Sequence, residues 1–261
     1  MLRRIVKKGL LLFKATDLFK YWRYFSMEAV KHRSKSKSIS NWLAYAMIGA
    51  IAFVVMKFEF PIMPGVSFLK MDFSDVIVVI TTFVFGPVGG TMVALIKCLL
   101  SLIFSGFALP SLVGEIAAFL ASMAFALPFY FLAGSVKEDD RKKAKGYLLP
   151  IAGLVLGTLC LTLVMSLANQ FLLTPVYAYT SVPQAASMKM SYGQLLIFTE
   201  KVYLGKMLHL PSMSSYIMGI IAPFNLIKGA INSVVVYILF EAVLKNIKPF
   251  VSKHFNISSK Y

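Results

Sequence analysis

Three polar residues near the end of the chain are spaced so that they share one side of a helix. Asn225, Lys228 and Asn232 are separated by three and four residues within a strongly apolar run. One ammonium and two carboxamides supply donors and acceptors for a polar ligand, or hydrogen bonds that hold neighbouring helices together. Their position alone leaves both roles open.

Three further polar residues, Lys97, Glu115 and Asn169, also lie inside apolar runs. A charge within hydrocarbon costs about 2.5 kcal/mol or more, so such a group faces a cavity or a partner. Lys97 and Glu115 are therefore expected either to line a pocket or to form a structural ion pair. Asn169 has the same two alternatives, a ligand contact or an interhelical hydrogen bond.

Arrangements typical of catalysis or metal binding are missing from the sequence. Cys98 and Cys160 lie in apolar runs and are interpreted as small core residues, and His32, His209 and His254 are too scattered for a zinc site. The phosphate-binding pattern G-x-x-x-x-G-K-[ST] does not occur. The sequence thus predicts a protein that is not an enzyme and holds neither metal nor cofactor.

The elements that position these residues are expected to be membrane-spanning helices. Of the 261 residues 58% are hydrophobic and only 15% charged, and the mean hydropathy is +0.75, so lipid rather than water should cover the surface. We predict an all-α integral membrane protein with six transmembrane helices. Their approximate bounds are 42–60, 73–86, 91–107, 111–134, 147–173 and 214–244.

Charge distribution predicts the orientation. The net charge is +16, and residues 1–37 carry 11 Lys and Arg. With both termini in the cytoplasm, the inner segments hold 20 Lys and Arg and the outer segments 5, as the positive-inside rule requires. A basic tail beside the membrane is explained by orientation and anionic lipid, so nucleic acid is not expected as a partner.

This pattern divides the chain into a basic cytoplasmic extension (1–40), a six-helix membrane domain (41–245) and a basic cytoplasmic tail (246–261). Within the domain, 174–213 is expected to be a long extracellular connection. Its stretch 191–208 is amphipathic, and either adds to a lid or is inert.

Local signals mark other boundaries. Asp72 and Asp75 in the stretch MDFSD favour a helix N-terminus, and GPVGG at 86–90 predicts a tight turn. Ala46 and Ala50 in the first span form a small-xxx-small pair, which allows another helix to approach closely. That helix belongs either to the same bundle or to a partner.

Four ordered motifs carry a family resemblance. They are MDFSDVIVVITTFVFGPVGGTMVALIK at 71–97, Gly114-Glu115, Asn169 followed by Pro175-Val-Tyr177, and PFNLIKG at 223–229. Together they resemble the substrate-binding S-components of energy-coupling factor (ECF) vitamin transporters, and among these the riboflavin-specific type.

This resemblance implies six helices with both termini inside and an outward-facing vitamin pocket roofed by residues 61–72. It implies ligand contacts from Asn169, Asn225 and Lys228, with riboflavin as ligand. It also implies a docking face at Ala46 and Ala50 for a transmembrane coupling subunit, with ATP hydrolysis in two separate ATPase subunits. The expected location is the plasma membrane of a prokaryote.

Two positions depart from the pattern of the family. Cys98 and Ala118 stand where asparagine is common, and the connection at 174–213 is longer than expected. The ligand therefore stays open to another vitamin, such as pantothenate or folate. The alternative from a different class is a membrane scaffold without a transport role.

Overall fold

The computed structural model describes residues 39–62, 69–136, 143–182, 185, 188–243, 251 and 255. The expected N-terminal extension up to residue 38, the tip of the roof at 63–68, the loop at 137–142 and most of the basic tail lie outside these residues. The described elements, in chain order, are α1 (Ile39–Met56), β1 (Phe60–Pro61), β2 (Lys70–Met71), α2 (Ser74–Ser105), α3 (Leu109–Ala133), α4 (Ala144–Ala168), a π-helical turn (Asn169–Leu173), α5 (Thr174–Ser181), α6 (Tyr192–Phe198), a π-helical stretch (Thr199–Met207), α7 (Met213–Tyr216), a π-helical turn (Ile217–Ile221) and α8 (Ala222–Ala242).

The protein is mostly helical, as the composition predicts. Within the described residues, five helical segments are long and apolar enough to cross a membrane. They are Ile39–Met56, Ser74–Ser105, Leu109–Ala133, Gly146–Ser181 and Met213–Phe240. The sequence predicted six spans, and the difference lies in α2, which takes up the second and third of them.

Helix α2 is bent back on itself at Gly86. The backbone of Gly86 is not helical (φ 83°, ψ 176°), and Pro87 follows it directly. Asp75 and Lys97 are 22 residues apart, which is about 33 Å along a straight helix. Their side chains are nevertheless in contact, with 3.2 Å between Lys97 Nζ and Asp75 Oδ1. The two halves of α2 therefore run antiparallel, and the turn predicted at 86–90 is confirmed.

Glycine makes this hairpin possible at two positions. The positive φ of Gly86 is one that other residues rarely adopt. At Gly90, a Cβ atom would lie 1.9 Å from the Thr82 hydroxyl oxygen, so only a residue without a side chain lets the two halves come this close.

The bundle core consists of α2, α3, α4 and α8, which pack in a ring of neighbouring pairs. In the half nearest the Gly86 turn the core is aromatic. Phe83, Phe129 and Phe240 meet there, with ring centroids 5.0 to 5.9 Å apart. The polar residues are concentrated in the other half, near the N-terminus of α2.

Helix α1 packs on the outside of this bundle through one narrow face. Tyr45, Gly49 and Ala52 are buried, and a Cβ atom on Gly49 would lie 2.6 Å from the Ile96 side chain. Ala46 and Ala50 lie on the other side of the helix and are exposed. Close packing within the bundle thus uses Gly49 and leaves the alanine pair uncovered.

The fifth predicted span ends later than expected. The sequence placed its end at residue 173, but the helix continues through the π-helical turn to Ser181. Pro175 has no N–H for the carbonyl four residues earlier, that of Phe171. That carbonyl instead accepts a hydrogen bond from the Tyr192 hydroxyl (2.6 Å). The wider turn and this outside donor allow the helix to pass the proline.

The connection that follows is largely helical. The amphipathic stretch expected at 191–208 forms helix from Tyr192 to Met207, and Ser191 and Gln194 cap its start reciprocally. Leu204 from this helix is fully buried against Tyr216 and Ile221. The segment thus packs onto the polar half of the bundle.

Candidate ligand-binding site

Lys97 is the most deeply buried charge among the described residues. Its side chain is 1% exposed, and its ammonium donates to Ser74 Oγ (3.0 Å), Asp75 Oδ1 (3.2 Å) and Ser122 Oγ (2.8 Å). An ammonium has three N–H groups, so every donor of Lys97 has an acceptor within the protein. This pairing satisfies the charge and leaves no donor for a ligand.

Asp75 is shared between two lysines from different helices. Its Oδ1 atom accepts from Lys97 and from the Ser122 hydroxyl (2.6 Å), while its Oδ2 atom lies 3.1 Å from Lys228 Nζ. Asp75 therefore ties together both halves of α2, helix α3 and helix α8. A buried carboxylate between two ammonium groups offsets much of their desolvation cost.

A second aspartate, Asp72, also contacts Lys228. Its Oδ1 atom accepts from the Ser74 backbone N–H (2.8 Å) and from the Ser74 hydroxyl, and its Oδ2 atom accepts from Lys228 Nζ (3.3 Å). The helix start predicted at MDFSD is confirmed, since α2 begins at Ser74. We call Asp72, Ser74, Asp75, Lys97, Ser122 and Lys228 the charged ring.

Lys228 differs from Lys97 in how many of its donors are used. Its ammonium donates to Asp72 Oδ2 (3.3 Å) and lies 3.1 Å from Asp75 Oδ2, so two carboxylate oxygens face its three N–H groups. Its side chain is 13% exposed, against 1% for Lys97. Lys228 therefore keeps an N–H group for a further acceptor.

Asn225 and Asn169 are anchored in the same way. The amide nitrogen of Asn225 donates to the Ile221 carbonyl (2.8 Å), and that of Asn169 donates to the Met165 carbonyl (2.9 Å). Each amide is thus anchored to its own helix, and both side chains are buried. Asn225 lies one turn before Lys228 of the ring, and the turn that carries Asn169 (Asn169–Leu173) packs against the turn that precedes α8 (Ile217–Ile221).

A second polar group is formed by hydroxyls. Tyr216 hydrogen-bonds with Thr174, and the hydroxyls of Tyr177, Tyr203 and Tyr216 are close enough to interact electrostatically. Thr174 in turn donates to Asn169 Oδ1 at 3.5 Å. Burial raises the pKa of the Tyr203 hydroxyl, so it stays protonated, and able to donate, to a higher pH than an exposed tyrosine.

Glu115 lies next to the hydroxyls and does not pair with Lys97. The carboxylate interacts with the Tyr177 hydroxyl and hydrogen-bonds with the Cys98 thiol. Its Oε2 atom is buried and has no partner among the described residues. The ion pair considered from the sequence, Lys97 with Glu115, is replaced by Lys97 with Asp75. We call Glu115, Thr174, Tyr177, Tyr203 and Tyr216 the hydroxyl cluster.

Asn232, the third member of the helical stripe, is separate from these contacts. It is fully buried, and neither atom of its amide has a partner within the described part of the chain. It follows Lys228 by one turn, on the side that leads to the core residue Val236.

Sequence reasoning did not find Ser122, or the link between Asp72 and Lys228. Ser122 lies in an apolar helix and carries no spacing signal of its own. The Asp72–Lys228 contact joins residues 156 positions apart, a separation over which a single sequence has no information. The tyrosines were also missed, because aromatic residues are common throughout the chain.

A helical membrane protein with a buried polar site at one end matches a known class. Residues 44–240 match the family described as ECF transporter, substrate-specific component. The chain belongs to this family.

Its relatives include riboflavin transporters. It is 30% identical over 221 residues to the riboflavin transporter FmnP of Bacillus subtilis (strain 168), covering 82% of this chain and 95% of the relative. It is 31% identical over 206 residues to the riboflavin transporter RibU of Staphylococcus aureus (strain TCH60), covering 79% of this chain and 91% of the relative.

A solved structure has a similar fold. It is the structure of the S component of a bacterial ECF transporter. It aligns with a TM-score of 0.56 and 31% identity, over 81% of this chain and 99% of that one.

Proposed function

We propose that this chain is the riboflavin-binding S-component of an ECF importer in the plasma membrane of a prokaryote. The observation that carries the proposal is that Lys228 keeps an N–H group for a further acceptor one turn after the buried amide of Asn225 on α8. Asn169, also buried, is the third proposed contact. Its relatives include riboflavin transporters at 30% and 31% identity, which supports the choice of ligand.

The chemistry of these groups suits a flavin. A flavin ring presents carbonyls, ring nitrogens and one N–H, and its ribityl chain presents hydroxyls. The Lys228 N–H group that has no acceptor among the described residues, together with the amides of Asn225 and Asn169, offers matching donors and acceptors, while the tyrosines offer flat walls. In this proposal Lys97 stabilises the site and Glu115 is a pocket residue.

The topology that goes with this function has six crossings. The chain crosses the membrane once on each side of Gly86, so the five long helical segments make six crossings with both termini in the cytoplasm. The first half of α2, Ser74 to Phe85, is only about 18 Å long, so its N-terminal end lies below the outer surface and the residues before it complete the crossing. In this arrangement the charged ring lies beneath the outer connection, where a pocket open to the outside would lie.

Partners supply the energy in this proposal. A transmembrane coupling subunit would dock on α1, and two separate ATPase subunits would hydrolyse ATP. The outward exposure of Ala46 and Ala50 supports docking, because these residues are not used for packing within the bundle.

Direct titration tests the ligand. Purified protein in detergent is titrated with riboflavin while quenching of flavin fluorescence is followed, with pantothenate and folate as competitors. Tight one-to-one quenching that neither competitor reverses is the expected result. Folded protein that binds pantothenate or folate instead would move the ligand to another vitamin, and folded protein that binds none would favour a scaffold.

Bulky substitution tests the docking face. Ala46→Leu and Ala50→Leu are expected to abolish riboflavin uptake in cells that contain the coupling module, while riboflavin binding to the purified variants stays unchanged. The added side chains would hold the partner helix away. Ala44→Leu, on a half-buried position of the same helix, is the control for general disturbance of α1. Normal uptake by the Ala46 and Ala50 variants would exclude this face.

A further inference from the structure

Asp72 stands between two parts of the molecule. It directly follows β2, which pairs with β1 in an antiparallel register of Phe60 with Met71 and Pro61 with Lys70. It also precedes α2 and reaches across to α8, where it meets Lys228. One buried side chain therefore connects the outer hairpin, the start of α2 and the candidate ligand-binding lysine.

The carboxylate of Asp72 is held in a fixed direction. Its Oδ1 atom is bound to the Ser74 N–H and hydroxyl at the positive end of α2, so its Oδ2 atom is left to face Lys228. The residue is 8% exposed, which limits competition from water. An acceptor anchored in this way determines where one N–H of Lys228 points.

Asp75 is held differently. Its Oδ1 atom accepts hydrogen bonds from Lys97 and Ser122, and its Oδ2 atom lies 3.1 Å from Lys228 Nζ. The carboxylate of Asp75 is therefore shared with Lys97, whereas Asp72 is otherwise bonded to Ser74 alone and has Lys228 as its one cation among the described residues.

We propose that Asp72 is a positioning residue: it orients the Lys228 ammonium so that its remaining N–H group faces the ligand. This inference rests on the proposed function, in which Lys228 contacts riboflavin. The competing explanation is that Asp72 only caps α2 and affects stability alone.

A double-mutant cycle separates the two explanations. Asp72→Asn keeps an oxygen for the Ser74 N–H and removes the charge that faces Lys228. Riboflavin affinity is measured for the unmodified protein, for D72N, for Lys228→Gln and for the double variant, together with the thermal midpoint of each. The matched control is Glu59→Gln, which breaks the exposed ion pair of Glu59 with Lys70 (2.6 Å) at the same hairpin.

If Asp72 positions Lys228, the effects of substitutions at these two residues on riboflavin affinity should be strongly coupled. D72N should weaken riboflavin binding by roughly tenfold in the unmodified background, an effect the size of one hydrogen bond to a charged group. In the Lys228→Gln background it should change affinity by less than about twofold, since the group it orients is gone. Glu59→Gln should leave affinity unchanged.

Three results would overturn the inference. Equal weakening by D72N in both backgrounds would show that it acts without Lys228, and unchanged affinity in D72N would leave only the capping role. Weakening by D72N while Lys228→Gln alone binds normally would also exclude it. Should Lys228→Gln bind normally and D72N have no effect, the assignment of Lys228 to the ligand site fails as well.

If D72N does not yield folded protein, Asp72→Ser replaces it in the cycle, because serine is neutral and also caps helices.

Discussion

The charged ring and the hydroxyl cluster lie in the same half of the bundle and differ in how completely their polar groups are paired. In the ring, Lys97 and Asp75 satisfy each other and two serines, and the second oxygen of Asp75 lies 3.1 Å from the Lys228 ammonium. In the cluster, Glu115 keeps a buried oxygen that has no partner within the described residues. Buried polar groups are normally paired, and the proposed function assigns the missing partner of Glu115 to the ligand.

Lys228 belongs to the ring, but like Glu115 in the cluster it has unused hydrogen-bonding capacity. Its ammonium faces two carboxylates of the ring and keeps one N–H group without an acceptor within the described residues. The comparison therefore predicts that substitution of Lys97 mainly lowers folding stability, whereas substitution of Lys228 mainly lowers ligand affinity. The loss of affinity should be smaller for Glu115 and smallest for Tyr203.

The largest effect is expected at Lys97. Lys97→Met removes the partner of a buried carboxylate, which typically costs about 3–5 kcal/mol of folding free energy. We expect a large fall in the thermal midpoint of unfolding in detergent, or loss of folded protein. Lys70→Met, which breaks an exposed ion pair, should change it little. A stable Lys97→Met protein that fails only to bind riboflavin would show that the ring itself is the ligand site.

The next effect is expected at Lys228 and Asn225. Lys228→Gln and Asn225→Ala should weaken riboflavin binding by about 1–3 kcal/mol, because ligand groups are left without partners. The fall in thermal midpoint should be smaller than for Lys97→Met. Fluorescence titration measures the first quantity and thermal unfolding the second. Unchanged affinity in both variants would remove these residues from the site.

Glu115 should show an effect on selectivity. Glu115→Gln keeps the shape of the side chain and removes a buried negative charge, so stability should be maintained while riboflavin affinity falls by about 1 kcal/mol. Affinity for the phosphorylated flavin FMN should fall less or rise, because the repulsion between carboxylate and phosphate is removed. Competition titrations with both flavins measure the ratio. An unchanged ratio would mean that Glu115 does not face the ligand.

The smallest effect is expected at Tyr203. Tyr203→Phe removes one hydroxyl and keeps the aromatic wall, so riboflavin affinity should fall by about 0.5–1.5 kcal/mol. Tyr192→Phe, which alters a hydroxyl of the same connection bound to the Phe171 carbonyl, is the control for general loosening of the segment. Equal effects of the two substitutions would assign the connection a purely structural role.

Local signals in the sequence were sufficient for the helical class, the start of α2 and the turn at Gly86. These depend on apolar length, a carboxylate near a helix N-terminus, and a Gly-Pro pair. The grouping of Asn225 and Lys228 likewise follows from helical spacing alone.

Partners across helices were harder to predict. Lys97 has Glu115 and Asp75 as acidic neighbours in the sequence, and only the antiparallel hairpin decides that Asp75 is the one it meets. The end of the fifth helix was missed for a related reason. Its proline is accommodated by a hydroxyl from Tyr192, which lies 21 residues away from Phe171.

The hairpin at Gly86 also bears on how the chain enters the membrane during synthesis. Asp75 and Lys97 emerge only 22 residues apart and meet as soon as the two halves of α2 fold together. Each charge alone would cost about 2.5–3.5 kcal/mol at the centre of a spanning helix. Pairing within one hairpin cancels much of that cost before α3 or α8 has been made. This early neutralisation would let the translocon release both halves into lipid as a single unit.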